Sequence, residues 1–468
     1  MFQNWFKENK LLIIVTGAII LCLVIGWILY ALFGYQLIET VCEGRPIGLL
    51  NSIFKSQFNS PVEYYFKKAD RLFYDVFQNI LLLSLPLVFI LSLKLIFQKP
   101  SIIIQSIQTG FLIGILSIFL SNYGEWGKYN RGYTISFMDL SLSPFEGGSM
   151  QQFRMLIPLI GWITGLKGKY FFVLSTLGTL SFLAAANYWA RTFYKDKKTA
   201  ILITLLVSFL PVVQFNNVFY WIDIFCYLFL VIALLNPKYC SIIILFGILT
   251  HEFFFTYIPF IYLYHYCFNR NNMFPNINNT IKQIFYLGAS IFIYSTIRVG
   301  ISSFLDPVYN FEFLKAGIEK YGFAYPFIQP LLLGFFAAYE MSWLLIFPFI
   351  VYLSKYWRKM CIDVFLLAAA FIPPASFLFV AHDTTRIWSN SFFIIFLLPK
   401  YISDRMRNYW LICIVILNFL IPTFYYGYNW EAPLDKHAKI VKKIYLKNKD
   451  IRALTKSPRW YRSPQSSK

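Results

Sequence analysis

Charge is scarce in this chain: Asp, Glu, Lys and Arg together make up 14% of its 468 residues. Soluble domains carry about 25%, so an ordinary soluble enzyme is excluded. Histidine is scarcer still, with four residues, and no P-loop, GxSxG, HExxH or kinase signature occurs. The chemistries of soluble hydrolases and kinases therefore lack their usual markers. The seven cysteines follow no framework. Cys22, Cys226, Cys361 and Cys413 lie within apolar runs, Cys240 and Cys267 flank one, and only Cys42 stands clear of them. That pattern implies neither a disulfide scaffold nor a CxxC metal site. Internal repeats are absent, as is any Gly/Ser-rich or Pro-rich linker that would set off a soluble domain.

What is present is apolar. Hydrophobic residues make up 58% of the chain and its mean hydropathy is +0.57, which points to an all-α, polytopic transmembrane protein. About 11–13 spans are expected, counting short or re-entrant helices. The 51 Phe and 33 Tyr suit lipid-facing and interfacial positions. The net charge of +20 resides mostly in short loops between apolar runs, where it sets membrane orientation. No basic stripe or binding motif accompanies it, so nucleic acid is not an expected partner. Lys7 and Lys10 precede a first span at 11–33 and place the N-terminus in the cytoplasm. That run is too long for a signal peptide. Abundant Lys, Asn, Ile and Phe hint at an AT-rich genome, and hence at the inner (plasma) membrane of a bacterium.

The transmembrane domain is expected over 1–425, with long external loops at 34–78, 122–154 and 301–326, and a basic tail over 426–468. Counting spans puts the tail outside, against the preference of its lysines. Spans are expected at 79–97, 101–121, 170–190, 199–214, 218–235, 283–300, 327–353, 361–380 and 409–425. Residues 155–166 are too few to cross and read as a half-helix. Gln214-Phe-Asn-Asn217 reads as an external turn.

The stretch Ser241–Tyr264 draws most attention, because His251 and Glu252 sit side by side within an almost wholly apolar and aromatic run. Ionisable groups at membrane depth are costly and usually face a polar cavity. A hairpin of two short helices with this pair at its apex is preferred to a single span, since irregular backbone is tolerated where it lines a cavity. Asp223, just inside the span 218–235, is a second candidate. Arg154 lies where the second external loop returns to apolar sequence. Its guanidinium fork suits a phosphate, although snorkelling to headgroups explains it as well. Arg298 lies near the outer end of its span. Glu340 is buried in another.

His382-Asp383 forms a second histidine–acid pair. Adjacent residues on a helix point about 100° apart, so neither pair binds a metal alone. Together His251, Glu252, His382 and Asp383 could hold a divalent cation or orient phosphate and sugar hydroxyls. Two separate polar networks would also account for them. Arg386 follows Asp383 at a spacing that shares a helical face, as a plain salt bridge also would. In the first external loop, Asp70 and Asp75 are candidate general bases, since a carboxylate can deprotonate an attacking hydroxyl. An amphipathic helix lying on the membrane surface is the competing account of that loop.

These features together resemble the GT-C superfamily of integral-membrane glycosyltransferases. The similar features are an acidic first external loop (Asp70, Asp75), a second external segment ending in Phe153-Arg-Met-Leu-Ile-Pro158, Asp223 opening a later span, and a short hairpin with a charged apex at His251-Glu252. They cover roughly the first 270 residues and part of 381–386. The acidic loop departs from the family's adjacent or near-adjacent acidic pattern, because Asp70 lies between Ala69 and Arg71. The choice among Asp70, Asp75 and Glu63 therefore stays open. The large soluble C-terminal domain of some members is absent.

The resemblance implies transfer of a sugar from a polyprenyl-phosphate carrier to a glycan, lipid or protein acceptor outside the cytoplasm. Asp70 would act as base, with Arg154, Arg298 or Arg386 near the lipid phosphate. His251, Glu252, His382 and Asp383 would position the donor or a cation. The competing expectations are a transporter or flippase of lipid-linked saccharides, which would need discontinuous helices, and an O-antigen-polymerase-like enzyme.

Overall fold

A computed structural model describes Ile90 and residues 100–121, 134–145, 154–168, 171–219, 221–269, 277–304, 328–356, 360–376, 384–426 and 431–434. The chain packs as two compact units, Met1–Ile115 and Leu116–Lys468. In the first, the described residues are Ile90 and the start of helix α1 (Ile102–Leu120), where Gln105 Nε2 donates to the Pro100 carbonyl at 3.0 Å. The expected spans 11–33 and 79–97 and the loop 34–78 lie outside the described residues, save for Ile90.

The second unit is helical. It continues with α2 (Thr134–Leu142), α3 (Leu156–Thr164), α4 (Phe171–Tyr194), α5 (Lys197–Phe209), α6 (Pro211–Phe219), α7 (Asp223–Leu235), α8 (Cys240–Thr250) and α9 (Ile258–Phe268). There follow α10 (Ile277–Phe304), α11 (Ile328–Tyr339), α12 (Ile346–Tyr356), α13 (Cys361–Ala375), α14 (Thr384–Ser389), α15 (Phe393–Leu397) and α16 (Asp404–Leu420). Among the described residues the one strand pairing is an antiparallel ladder of β1 (Phe424–Tyr426) and β2 (Glu431–Pro433). It straddles the expected boundary between residue 425 and the tail that begins at 426.

Among the described residues, three helices are long and apolar enough to cross a membrane: Ile102–Leu120, Phe171–Tyr194 and Gly334–Tyr356. The number rises to five if each of two bent pairs counts as one crossing. Proline makes both bends. Pro211 cannot donate a helical hydrogen bond, and α5 meets α6 at 52°. Pro237 opens a short 3-10 turn between α7 and α8, which meet at 117°. Several helices present large apolar side chains outward: Phe285 and Phe292, two turns apart on α10, are 70% and 71% exposed. An apolar face of that kind is costly in water.

Some expected elements take other forms. Gln214, Asn216 and Asn217 are buried on α6 rather than exposed in a turn. Their amides bond internally: Gln214 Nε2 and Asn217 Nδ2 donate to the Ser117 hydroxyl at 3.0 and 3.1 Å, and Thr179 Oγ1 donates to Asn217 Oδ1 at 3.1 Å, while Gln214 Oε1 is buried with no partner among the described residues. Of the run expected at 361–380, α13 covers 361–375, with Pro373 and Pro374 in its last turn, and 377–380 lie outside the described residues. Within the short piece expected at 155–166, α3 is nine residues long.

The core packs around α4. At one end Phe137, Leu140, Ile157, Phe171, Trp221 and Leu434 belong to one buried cluster. At the other, Trp189 donates from Nε1 to Tyr264 OH at 3.1 Å and packs edge-on against Phe393 and Phe396. Helices α4 and α7 approach closely at Gly178, where a Cβ would lie 2.8 Å from Ile224 and 2.9 Å from Phe225.

Between α4 and α5 the chain turns through Lys195 (φ 54°) and Asp196. Asp196 caps α5, accepting from the Lys198 and Thr199 N–H groups at 3.1 and 3.0 Å and from the Thr199 hydroxyl. Asn408 Nδ2 adds a bond at 3.2 Å, tying α16 to this corner. Burial disfavours ionisation here, but the bonds from Thr199, Asn408 and Lys198 outweigh it and hold the carboxyl at about 2. A depressed folded value stabilises above the unfolded value of about 4, and that stabilisation is lost as pH falls through about 2. Asp196→Ala should cost about 1 kcal/mol at neutral pH. In detergent melts, the gap from wild type should narrow as the pH is lowered from about 4.

Candidate functional site

Four segments of the second unit bring charge together. The first is α7, which opens with Asp223, an acid placed where the helix dipole favours it. Asn216 fixes that helix start: its Oδ1 accepts from the Ile224 N–H at 3.2 Å. The chain runs down α7, reverses at residues 236–239, and returns along α8. The end of α8 thus comes back beside the start of α7, where the Cys226 thiol faces the Gly247 carbonyl at 3.9 Å.

There the helix breaks. His251 is extended (φ −160°, ψ 130°), and its Nδ1 accepts from the Phe253 N–H at 3.1 Å, capping a 3-10 turn over Glu252–Tyr257 that leads into α9. The arms on either side fold back on each other. The Ser241 and Tyr262 hydroxyls, about equally far along the chain from the His251–Glu252 junction, lie 3.1 Å apart. Gly247 faces the Phe254 ring so closely that a Cβ would lie 2.6 Å from it. The expected hairpin, with its histidine–acid apex, is present.

Arginines arrive from two other places. Arg154, just before α3, forks onto Glu252, with Nη2 at 2.7 Å from Oε1 and Nε at 3.2 Å from Oε2. Arg386, on α14, forks onto Asp223 through Nε and through Nη2 at 3.1 Å, and its Nη2 also lies 3.1 Å from His251 Nε2. The imidazole closes the row, with Nε2 at 3.8 Å from Asp223 and Nδ1 at 3.4 Å from Glu252. The order is therefore Arg154, Glu252, His251, Asp223, Arg386, alternating in sign about a central ring. His251 and Asp223 are buried.

Helix α14 has six residues, too short to hold itself. Its far end is tied by hydroxyls from three elements. Tyr227 donates to Asn390 Oδ1 at 2.7 Å, Tyr257 to the Asn390 carbonyl at 2.7 Å, and Tyr339 to the Trp388 carbonyl at 3.0 Å. On the near side, the Arg386 guanidinium lies 4.8 Å from the centre of the Trp221 ring, a cation–π contact. Trp221 is held by Phe137 and Phe215.

Of the residues picked out by sequence, Arg154, Asp223, His251, Glu252 and Arg386 meet in this row. Arg298 donates to Tyr294 OH at 2.7 Å, and Tyr294 is within electrostatic reach of Glu252 and Arg154, so Arg298 stands behind the row. Asp70, Asp75, His382 and Asp383 lie outside the described residues. Among the described residues no group of three or more His, Cys, Asp and Glu side chains is arranged to hold a metal ion. Asp223 and Glu252 do flank His251, but each gives its oxygens to an arginine. Trp221, the three tethering tyrosines and Asn216 were missed. Aromatics are 21% of the sequence, and nothing local marks these few.

No protein-family model, curated protein or solved structure matches the chain.

Chemically, the row provides two guanidinium forks, each set on a carboxylate, and a histidine between them. Buried ion pairs gain little net stability, yet removing one partner costs about 3–5 kcal/mol by stranding the other charge. Asp223→Ala should therefore lower the melting temperature sharply. Asp363→Ala, which breaks the more exposed pair with Lys400, should stay within about 1 kcal/mol. Parallel thermal melts in detergent would test the contrast, and equal effects would contradict it.

Proposed function

We propose that the protein is a polytopic membrane glycosyltransferase that moves a sugar from a polyprenyl-phosphate-linked donor to an acceptor on the extracytoplasmic face. The observation carrying this reading is the alternating row itself: two arginine forks and a histidine gathered at one end of apolar helices. A lipid-linked donor requires cationic groups for its phosphate at a site reached from the bilayer.

Polarity along α7 agrees with the sidedness. The row lies at one end, and Lys238 follows the other, about 20 Å away by helical rise. Lys195, Lys197 and Lys198 follow α4 at that second end, which the positive-inside rule assigns to the cytoplasm. The remaining spans, the long external loops and a bacterial inner-membrane location complete the same proposal.

In the transfer step the acceptor hydroxyl gives its proton to a carboxylate, Asp70 or Asp75 by the GT-C resemblance. The hydroxyl oxygen bonds to the anomeric carbon, and the bond from that carbon to the phosphate oxygen breaks. The carrier leaves as the lipid phosphate, with its developing charge met by guanidinium.

A flippase of lipid-linked saccharides is the second reading, favoured by the two bent helix pairs. Purified protein offered a panel of labelled polyprenyl-phosphate sugars separates the two. Release of lipid phosphate is expected, with Arg386→Ala and His251→Ala each lowering turnover by about 10²-fold or more. Tight binding with no release for any donor would favour the flippase. Asp70→Ala and Asp75→Ala, in the same assay, should identify the base; full activity in both would remove it from this loop.

A further inference from the structure

The hydrogen bonds around His251 do not balance. A neutral imidazole accepts at one nitrogen only, yet each ring nitrogen faces a donor. The Phe253 N–H points at Nδ1 at 3.1 Å, and Arg386 Nη2 stands 3.1 Å from Nε2. Whichever tautomer forms, one of these contacts sets donor against donor, and a doubly protonated ring worsens both. A second donor nearby is also unsatisfied. The indole N–H of Trp221, whose ring lies under Arg386, is buried with no hydrogen-bond partner among the described residues. Both mismatched donors, the Arg386 Nη2 at His251 and the Trp221 indole N–H, lie at the Arg386 end of the row. At the other end Arg154 forks onto Glu252.

We propose that Asp223 is an internal stand-in for the ligand. A phosphate oxyanion displaces it from the Arg386 fork, and His251 takes a proton and receives the released carboxylate. This rests on the transferase reading and assigns the donor's phosphate to Arg386, leaving Arg154 to brace the hairpin through Glu252. The charges require the proton. In the free protein each carboxylate is already neutralised by an arginine, so an entering anion adds negative charge to a buried site. Among the described residues, the titratable and charged groups facing His251 are Asp223 from α7, Glu252 beside it, Arg386 from α14 and, beyond Glu252, Arg154. Once Arg386 turns to the ligand, an imidazolium bridges two carboxylates and gives up the Phe253 N–H contact at Nδ1: Nε2–H faces Asp223, now at 3.8 Å, and Nδ1–H faces Glu252, now at 3.4 Å. The proton comes from solvent, and no covalent bond changes.

Calorimetry on the full-length protein in detergent tests this with two probes, a short-chain prenyl phosphate and inorganic phosphate. Repeating wild-type titrations in buffers of different ionisation enthalpy should reveal uptake of about one proton per ligand bound. Asp223→Asn should bind the prenyl phosphate about tenfold more tightly. Arg386→Lys, which loses the planar fork, should bind it at least about tenfold more weakly. Asp363→Asn should match wild type. Equal behaviour of inorganic phosphate would mean that the oxyanion alone is read, whereas binding of the prenyl phosphate only would identify a lipid headgroup. Both results support the displacement.

Binding without proton uptake would overturn the proposal even if Asp223→Asn fails to fold, and so would unchanged or weaker binding by a folded Asp223→Asn. Donor turnover alongside either of those results would leave the transferase reading standing. Failure of both probes to bind wild type would sink the displacement and, with no turnover, the transferase reading too.

Discussion

The pairing of Arg386 with Asp223 sets the terms for everything around it. Two charges removed from water cost several kcal/mol each unless geometry and further hydrogen bonds compensate. The compensation comes from distant parts of the chain. Asn216 secures the start of α7, the Trp221 face covers the guanidinium, and three tyrosines hold the far end of α14. None of these groups is near Arg386 in sequence. The row is thus a tertiary object, assembled only once α4, α6, α7, the hairpin and α14 have packed together.

A second polar system lies nearby and differs in kind. Ser117, Gln214, Asn217 and Thr179 are linked in a neutral network of amides and hydroxyls. Such networks fix how helices sit against each other without carrying charge. Through Asn216, the same short helix that contributes to this network also caps α7. One stretch of α6 therefore joins the neutral lattice to the charged row.

How much of this was legible in the sequence follows from contrast. His251, Glu252, Asp223, Arg154 and Arg386 stood out because ionisable groups are rare among apolar residues, and the break at His251 could be anticipated because a charged pair favours an irregular apex. Which arginine meets which acid could not be read, since those partners lie about a hundred residues or more apart. Gln214, Asn216 and Asn217 misled because three amides within four residues resemble a turn, and only the tertiary structure supplies the Ser117 hydroxyl that makes them core. The tethering tyrosines were hidden by abundance.

The reversal at 236–239 has a consequence for how this chain can vary. Asp223 and His251 meet because α7 and α8 are two arms of matched length, folded so that the start of one faces the end of the other. Residues 224–250 act as a ruler whose two ends must coincide. One residue added to either arm would turn everything beyond it by about 100° and advance it by about 1.5 Å. Insertions and deletions there are forbidden unless both arms change together or the bend absorbs the difference.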